Sequence, residues 1–165
     1  MNNKDRLRTY LSGGMEYAKG EGVNWRREME VWVDSALGHT VFNPNRESEQ
    51  FLARRLPDIQ FRDLKKQDLE NYTALVRELI DIDTHEIAEQ TDYVICYWDA
   101  SAQRGAGTTG EVTMAKFVGK PVYLVTELDL QEIPGWILGC ATKVFGSFDD
   151  LRKFLLRTYG GDIDR

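Results

Sequence analysis

Apolar residues along the chain fall into two patterns, continuous short runs and runs spaced by three or four positions. Residues 93–98 are almost wholly apolar, as in strands that are buried on both faces of a parallel sheet. Residues 121–126 form a second run of this kind. Three shorter β-prone segments predict further strands, and they cover residues 8–12, 39–44 and 143–145.

Helical spacing separates these strands. The apolar side chains between residues 24 and 37 recur every four positions and so predict an amphipathic helix; they are Trp25, Met29, Val33 and Leu37. Gly38 follows at the C-terminal position that glycine favours. Further helices are predicted over 111–118 and 147–159, the second with Ser147 and Asp150 at capping-box spacing.

Residues 45–80 interrupt the alternation of strands and helices. They are rich in charge, contain the helix breaker Pro57, and later show helical spacing. The pattern predicts a helical insertion that runs into a helix ending near Gln90. Such an arm is suited to cover a site as a lid or to contact another subunit.

Strands that alternate with helices predict an α/β fold with a parallel sheet covered on both faces. We expect about five strands in a single domain that spans residues 1–165. Ligands of such sheets bind outside the carboxyl ends of the strands. The loops at those ends are residues 12–15, 43–45, 99–111 and 126–129.

Composition and charge restrict the class of protein. A chain of 165 residues with 42% hydrophobic and 29% charged residues is typical of one globular domain. The net charge of −6 argues against a partner that is a nucleic-acid polymer. It leaves small anionic ligands open, since one or two arginines suffice for a mononucleotide.

Location and metal binding follow from what the chain contains. No apolar run approaches the length that spans a bilayer, and the first residues lack the apolar region of a signal peptide. Cys96 and Cys140 are far apart, and neither these cysteines nor His39 and His85 show the spacing of metal ligands. We therefore expect a cytoplasmic protein with reduced cysteines, no metal and no membrane partner.

The glycine-rich segment 105–111 precedes the helix at 111–118 and has three interpretations. It matches the dinucleotide-binding pattern G-x-G-x-x-G, although that loop belongs after the first strand of its fold. Thr108 and Glu111 also have the spacing of a capping box, which needs no ligand. In the third interpretation Glu111 projects from this loop into the ligand crevice as a nucleophile or acid/base group, and the glycines let a substrate approach closely.

Short motifs in the same order and spacing resemble the nucleoside 2-deoxyribosyltransferase-like superfamily, which includes deoxynucleoside 5′-monophosphate N-glycosidases. The resemblance covers most of the chain except 45–80. It rests on the segment 10–15, on Asp83 with Ile87 and 92–95, and on Gly107-x-x-x-Glu111 followed by Ala115 and 119–122.

The resemblance implies a flavodoxin-like fold and cleavage or transfer at the N-glycosidic bond of a nucleoside or its 5′-monophosphate, without a cofactor. It implies that Glu111 is the nucleophile, that Tyr10 orients it, and that Asp83 is the acid for the leaving base. It also implies a homo-oligomer, since family members complete their sites with residues of a neighbouring subunit. The expected substrate-binding residues are Gly13, Gly14, Met15, Asp99, Arg104, Gly107 and Thr108.

One position departs from the family pattern. Gly105 stands where the transferases carry an aspartate that suits a sugar hydroxyl and the monophosphate hydrolases carry a serine that suits a phosphate. Arg104 and Thr108 stand beside the gap and could bind a phosphate, as could Arg26 or Arg27 at the start of the helix over 24–37. Transferase and hydrolase both stay open, and a non-catalytic nucleotide-binding or sensing domain is the alternative from another class.

Overall fold

The computed structural model describes residues 6–56, 58 and 60–161. These residues form a five-stranded sheet in which every pairing is parallel and the order is β2-β1-β3-β4-β5. The strands are β1 Arg8–Gly13, β2 Thr40–Phe42, β3 Tyr93–Tyr97, β4 Val122–Val125 and β5 Lys143–Phe145. This is the flavodoxin-like order, which reverses between β1 and β3, so the predicted α/β fold is confirmed.

Helices cover both faces of this sheet. Their bounds are α1 Val23–Leu37, α2 Pro44–Arg55, α3 Leu64–Gln67, α4 Leu69–His85, α5 Ala100–Arg104, α6 Gly107–Phe117, α7 Gly135–Cys140 and α8 Phe148–Tyr159. One core cluster joins the sheet to α1 and α8, and another joins its opposite face to α6 and α7. The two apolar faces explain why β3 and β4 read as continuous apolar runs.

The alternation of side chains along β1 decides what reaches the site. Leu11 is buried in the cluster with α1, whereas Tyr10 is buried in the cluster with α6. Successive side chains of a strand point to opposite faces of the sheet. Ser12 therefore lies on the same face as Tyr10, toward α6.

The predicted helical insertion is present as α2, α3 and α4. Its helices pack on one another through a small cluster of their own, made of Phe51, Leu64, Tyr72 and Leu75. The end predicted near Gln90 is confirmed, because α4 is followed directly by a π-helical turn over Glu86–Gln90. Pro57 lies outside the described residues.

Several local expectations differ from the structure. The short helices α5 and α7 were not predicted, and α6 begins at Gly107 instead of residue 111. Gly13 belongs to β1, and the pair Gly13-Gly14 is needed for close packing. A Cβ at Gly13 would lie 2.7 Å from the Trp25 ring, and one at Gly14 would lie 2.0 Å from the Ser101 hydroxyl.

The end of α1 yields a test of backbone conformation that is separate from packing. Gly38 caps α1 with φ 67°, and Gly139 lies within α7; an added Cβ meets nothing within 4 Å at either position. We expect Gly38→Ala to lower the free energy of unfolding by about 1–2 kcal/mol, since the left-handed region disfavours a Cβ. Gly139→Ala should raise it by roughly 0.5–1 kcal/mol, since alanine is the better helix former.

Urea unfolding followed by circular dichroism measures both changes. Equal effects of the two substitutions would contradict the left-handed cap as the cause, because both positions are equally open.

Candidate active site

A cavity of about 490 Å³ opens at the carboxyl ends of β1 and β3, where the strand order reverses. The loops after these two strands and the first turns of α6 form one wall. The insertion forms the other, mostly apolar wall, with Leu52, Phe61, Tyr72, Val76, Leu79 and Ile80. Asp83 of α4 and Glu111 of α6 lie in the same cavity, one from each wall.

Glu111 lies inside α6, in its second turn, and not in a loop as predicted. The hydroxyl of Tyr10 donates to Glu111 Oε1 at 2.9 Å, and the hydroxyl of Ser12 donates to Oε2. The helix begins after Ala106, whose side chain makes no capping hydrogen bond. The capping-box interpretation is therefore wrong, because both carboxylate oxygens are held by β1.

Opposing effects set the charge of Glu111. Burial is the largest effect and raises the pKa of its carboxyl group above the ordinary value, while the hydrogen bonds from Ser12 and Tyr10 and the charge of Arg26 limit that rise. The pKa of Tyr10 is raised well above its ordinary value, first by burial and then by the negative charge of Glu111. Tyr10 thus stays protonated and donates its hydrogen bond at every physiological pH.

Asp83 is the carboxyl group that keeps a proton. Burial, and then the charge of Glu111, raise the pKa of Asp83 to about 8. Two carboxylates that share one site cannot both ionise at low cost. Because Glu111 accepts two hydroxyl hydrogen bonds and Arg26 favours its charge, Glu111 is the ionised partner and Asp83 the neutral acid at pH 7.

Five of the seven expected substrate-binding residues line the cavity: Gly13, Gly14, Met15, Gly107 and Thr108. At Gly107 and Gly110 an added Cβ would meet nothing within 4 Å. Since both glycines line the cavity, the missing side chains leave space for a ligand against α6.

Asp99 and Arg104 are not among the lining residues. Asp99 caps α5, since its Oδ1 accepts hydrogen bonds from the Ser101 hydroxyl at 2.5 Å and from the Ala102 backbone at 2.9 Å. The exposed guanidinium of Arg104 lies 4.2 Å from the centre of the Tyr17 ring. Neither side chain lines the cavity, although Ser101 and Ala102 of α5 do.

Two residues differ from their predicted roles: Ser12 was not predicted as a partner of Glu111, and Arg26 does not line the cavity. Ser12 could have been found, since it follows Tyr10 by two positions and shares its face of the strand. Arg26 was a phosphate candidate, but its side chain is fully buried and its hydrogen bonds go to backbone carbonyls and Asn45. Nothing in the local sequence pattern indicates that role.

The dinucleotide interpretation of 105–110 is wrong. The glycine pattern follows β3, the third strand of the chain, and the strand order is not that of the dinucleotide fold. Among the described residues no group of three or more His, Cys, Asp or Glu side chains could hold a metal ion. In the same part of the chain no helix is long and apolar enough to cross a membrane.

A flavodoxin-like α/β protein with a carboxyl pair at the reversal of strand order is what the fold and cavity define. Two solved structures share the fold. The 2-deoxyribosyltransferase of Bacillus psychrosaccharolyticus is 18% identical, with a TM-score of 0.61 over 93% of this chain and 96% of that chain. The CMP N-glycosidase BcmB of Clostridium botulinum is 16% identical, with a TM-score of 0.53 over 92% and 98%.

These two structures confirm, at the level of the fold, the resemblance found in the sequence. No protein-family model matches the chain, and no curated protein sequence matches it.

The proton on Asp83 predicts a pH dependence of stability. Its pKa is about 8 in the folded protein and 3.8 for an unperturbed aspartate, so folding takes up a proton between these values. This group therefore makes the wild type less stable as pH rises from about 4 to about 8. The free energy of unfolding of Asp83→Asn minus that of wild type should rise across this window and level off above it.

Chemical denaturation at several pH values measures this difference. Asp81→Asn, which removes an exposed carboxylate of the same helix, is the control. A difference between Asp83→Asn and wild type that does not change with pH would contradict a protonated Asp83.

Proposed function

We propose that the protein cleaves the N-glycosidic bond of a nucleoside or nucleotide and passes the glycosyl group through a covalent intermediate on Glu111. The proposal rests on one observation: two hydroxyl groups hold the Glu111 carboxylate at the wall of the cavity that also contains Asp83. The shared fold with a 2-deoxyribosyltransferase and a CMP N-glycosidase supports the same chemistry.

In the first step a carboxylate oxygen of Glu111 attacks the anomeric carbon, and the bond from that carbon to the base nitrogen breaks. Positive charge develops on the sugar during this step, and the negative carboxylate stabilises it. The leaving base takes the proton from Asp83, whose raised pKa suits a general acid near neutral pH. The products are a free base, a glycosyl ester of Glu111 and an Asp83 carboxylate.

In the second step a water molecule or another base attacks the anomeric carbon and releases Glu111. Asp83 takes the proton that the attacking group loses and returns to its starting state. Water gives net hydrolysis, and a base gives transfer. Hydrolysis and transfer therefore differ only in whether water or a second base enters the site as the acceptor.

Tyr10 and Ser12 are proposed to aim the nucleophile. Each hydroxyl holds one oxygen of Glu111, so the carboxylate cannot rotate freely away from the sugar. A catalytic group that is already held in its reactive orientation before the substrate reacts contributes a large part of enzymatic rate enhancement. The sugar and its 5′ group are proposed to contact the residues that line the cavity together with Glu111, which are Gly13, Gly14, Met15, Gly107 and Thr108.

The homo-oligomer and the cytoplasmic location stay predictions. So does the absence of a cofactor.

Glu111→Gln should abolish base release from every substrate. The amide keeps the size of the side chain and removes the negative charge that the attack needs, so we expect a loss of at least about 10³-fold in kcat. A panel of ribo- and deoxynucleosides and their 5′-monophosphates, with and without a second free base, is followed by chromatography.

Glu132→Gln, at an exposed glutamate of the loop after β4, is the matched control and should leave activity unchanged. Release without an acceptor identifies a hydrolase, and exchange that needs a free base identifies a transferase. No release from any substrate, together with ligand-induced thermal stabilisation, would refute catalysis and favour the nucleotide-binding alternative.

The position of Arg104 predicts that it does not select the 5′ group. Its guanidinium stacks on Tyr17 and is exposed, so Arg104→Gln should change the ratio of kcat/KM for a 5′-monophosphate and its nucleoside by less than about twofold. Thr108→Val, at a buried hydroxyl that lines the cavity, is the comparison variant. A tenfold loss of monophosphate preference in Arg104→Gln would show that this arginine reaches the phosphate.

A further inference from the structure

Arg26 is a buried positive charge that is not neutralised by an ion pair. Its side chain is 0% exposed, and no carboxylate in the described part of the chain forms a salt bridge with it. Buried arginines are normally paired, because an isolated charge is costly away from water. An arginine stays protonated at neutral pH, so the fold keeps this charge for a reason other than an ion pair.

The first set of hydrogen bonds from Arg26 holds the carboxyl end of β1. Its Nε donates to the Leu11 carbonyl at 3.1 Å and its Nη2 to the Gly13 carbonyl at 2.7 Å. β2 pairs with β1 only as far as Tyr10, so these carbonyls lie beyond the end of that pairing. Because Tyr10 and Ser12 alternate with Leu11 and Gly13, fixing the carbonyls also fixes the two donors to Glu111.

The second set holds the loop that forms the cavity wall. Nη1 of Arg26 lies 3.3 Å from the carbonyl oxygens of Glu21 and Gly22 and 3.2 Å from Asn45 Oδ1. Glu21 has φ 53° and Gly22 has φ 68°, a left-handed conformation that costs a non-glycine residue free energy. Arg26 therefore binds the strained end of this loop, where Glu21 lines the cavity.

Arg26 is also the cation among the groups that act on Glu111. Tyr10 and Ser12 of β1 and Arg26 of α1 act on Glu111, and the charge of Glu111 in turn raises the pKa of Asp83 of α4 and Cys96 of β3. Asp83 and Cys96 each have a raised pKa, so both are neutral at pH 7. The charge of Arg26 lowers the pKa of Glu111 against burial, which is the largest effect, and adds to the larger lowering by the Ser12 and Tyr10 hydrogen bonds.

We propose that Arg26 is a positioning residue that fixes the carboxyl end of β1 from the opposite face of the sheet and, through its charge, presents Glu111 as a carboxylate. This inference rests on the proposed function and goes beyond it, since Arg26 does not line the cavity. In this proposal the buried charge of Arg26 acts on Glu111, which lies on the other side of β1.

The first experiment compares Arg26→Met and Arg26→Lys with wild type. Arg26→Met should lower kcat by 10- to 100-fold, on the order expected for a misplaced catalytic group. The acid limb of the kcat/KM profile should move to higher pH by about 1 unit, the lower end of the effect of a nearby charge on a carboxylate. Arg26→Lys should retain the position of the acid limb but lose part of kcat, because lysine keeps the charge and not the array of hydrogen bonds.

Arg27→Met is the matched control, since Arg27 is the exposed neighbour on the same helix. It should change neither kcat nor the pH profile. An acid limb that stays in place in a folded Arg26→Met variant would overturn the role of the charge.

A second variant keeps Arg26 and offsets its positive charge with a nearby carboxylate. It tests the proposal even if Arg26→Met does not fold. Asn45→Asp places a carboxylate 3.2 Å from Nη1, at a helix N-terminus that tolerates negative charge. The acid limb should again move to higher pH. Asn24→Asp adds the same charge at an exposed position of α1 and should have no effect; equal profiles for Asn45→Asp and Asn24→Asp would overturn the proposal.

A readout that needs no turnover separates this inference from the proposed function. The titration of Glu111 is followed by carbon NMR of protein labelled at the glutamate carboxyl groups, with Glu111→Gln for assignment. The Glu111 signal should titrate at higher pH in Asn45→Asp and Arg26→Met than in wild type, even if no substrate is cleaved. An unchanged titration in both variants would overturn the inference, whereas absent turnover with a shifted titration would refute only the proposed function.

Discussion

The rest of the structure depends on the two hydrogen bonds that the Tyr10 and Ser12 hydroxyls donate to the Glu111 carboxylate. They tie β1 to α6 across a gap of about a hundred residues, so the sheet order, the register of β1 and the start of α6 must all be correct for them to form. The reversal of strand order beside β1 leaves a crevice at this point, where open α/β sheets bind ligands.

The insertion turns that crevice into a cavity with an apolar wall, and this wall gives the carboxyl pair its chemistry. Asp83 comes from the insertion side and Glu111 from the sheet side. Reduced contact with water makes two negative charges costly together, and burial and the charge of Glu111 raise the pKa of Asp83, so Asp83 holds the proton. Two chemically similar side chains thus differ in protonation because their surroundings differ.

The fold could be predicted from the sequence because long apolar runs and helical spacing carry most of the information. β3, β4, α1 and α8 show this, and Ser147 caps α8 as its spacing predicts. Shorter elements were missed, since five or six residues give too little pattern to recognise a helix. α6 was predicted to begin late because Gly107 and Gly110 are poor helix formers, and packing on the sheet outweighs that preference.

The sequence by itself determined the α/β fold and the insertion, because periodicity is a local property of the chain. The expected places of Glu111 and Asp83 came from the resemblance of short motifs to a known family, and both side chains line the cavity. Tertiary structure alone decided that Asp99 caps a helix, that Arg104 stacks on Tyr17, and that the guanidinium of Arg26 donates hydrogen bonds to the backbone of β1. It also decided the charge of each carboxyl group. These properties depend on burial and on distances between residues far apart in the chain, which no local pattern records.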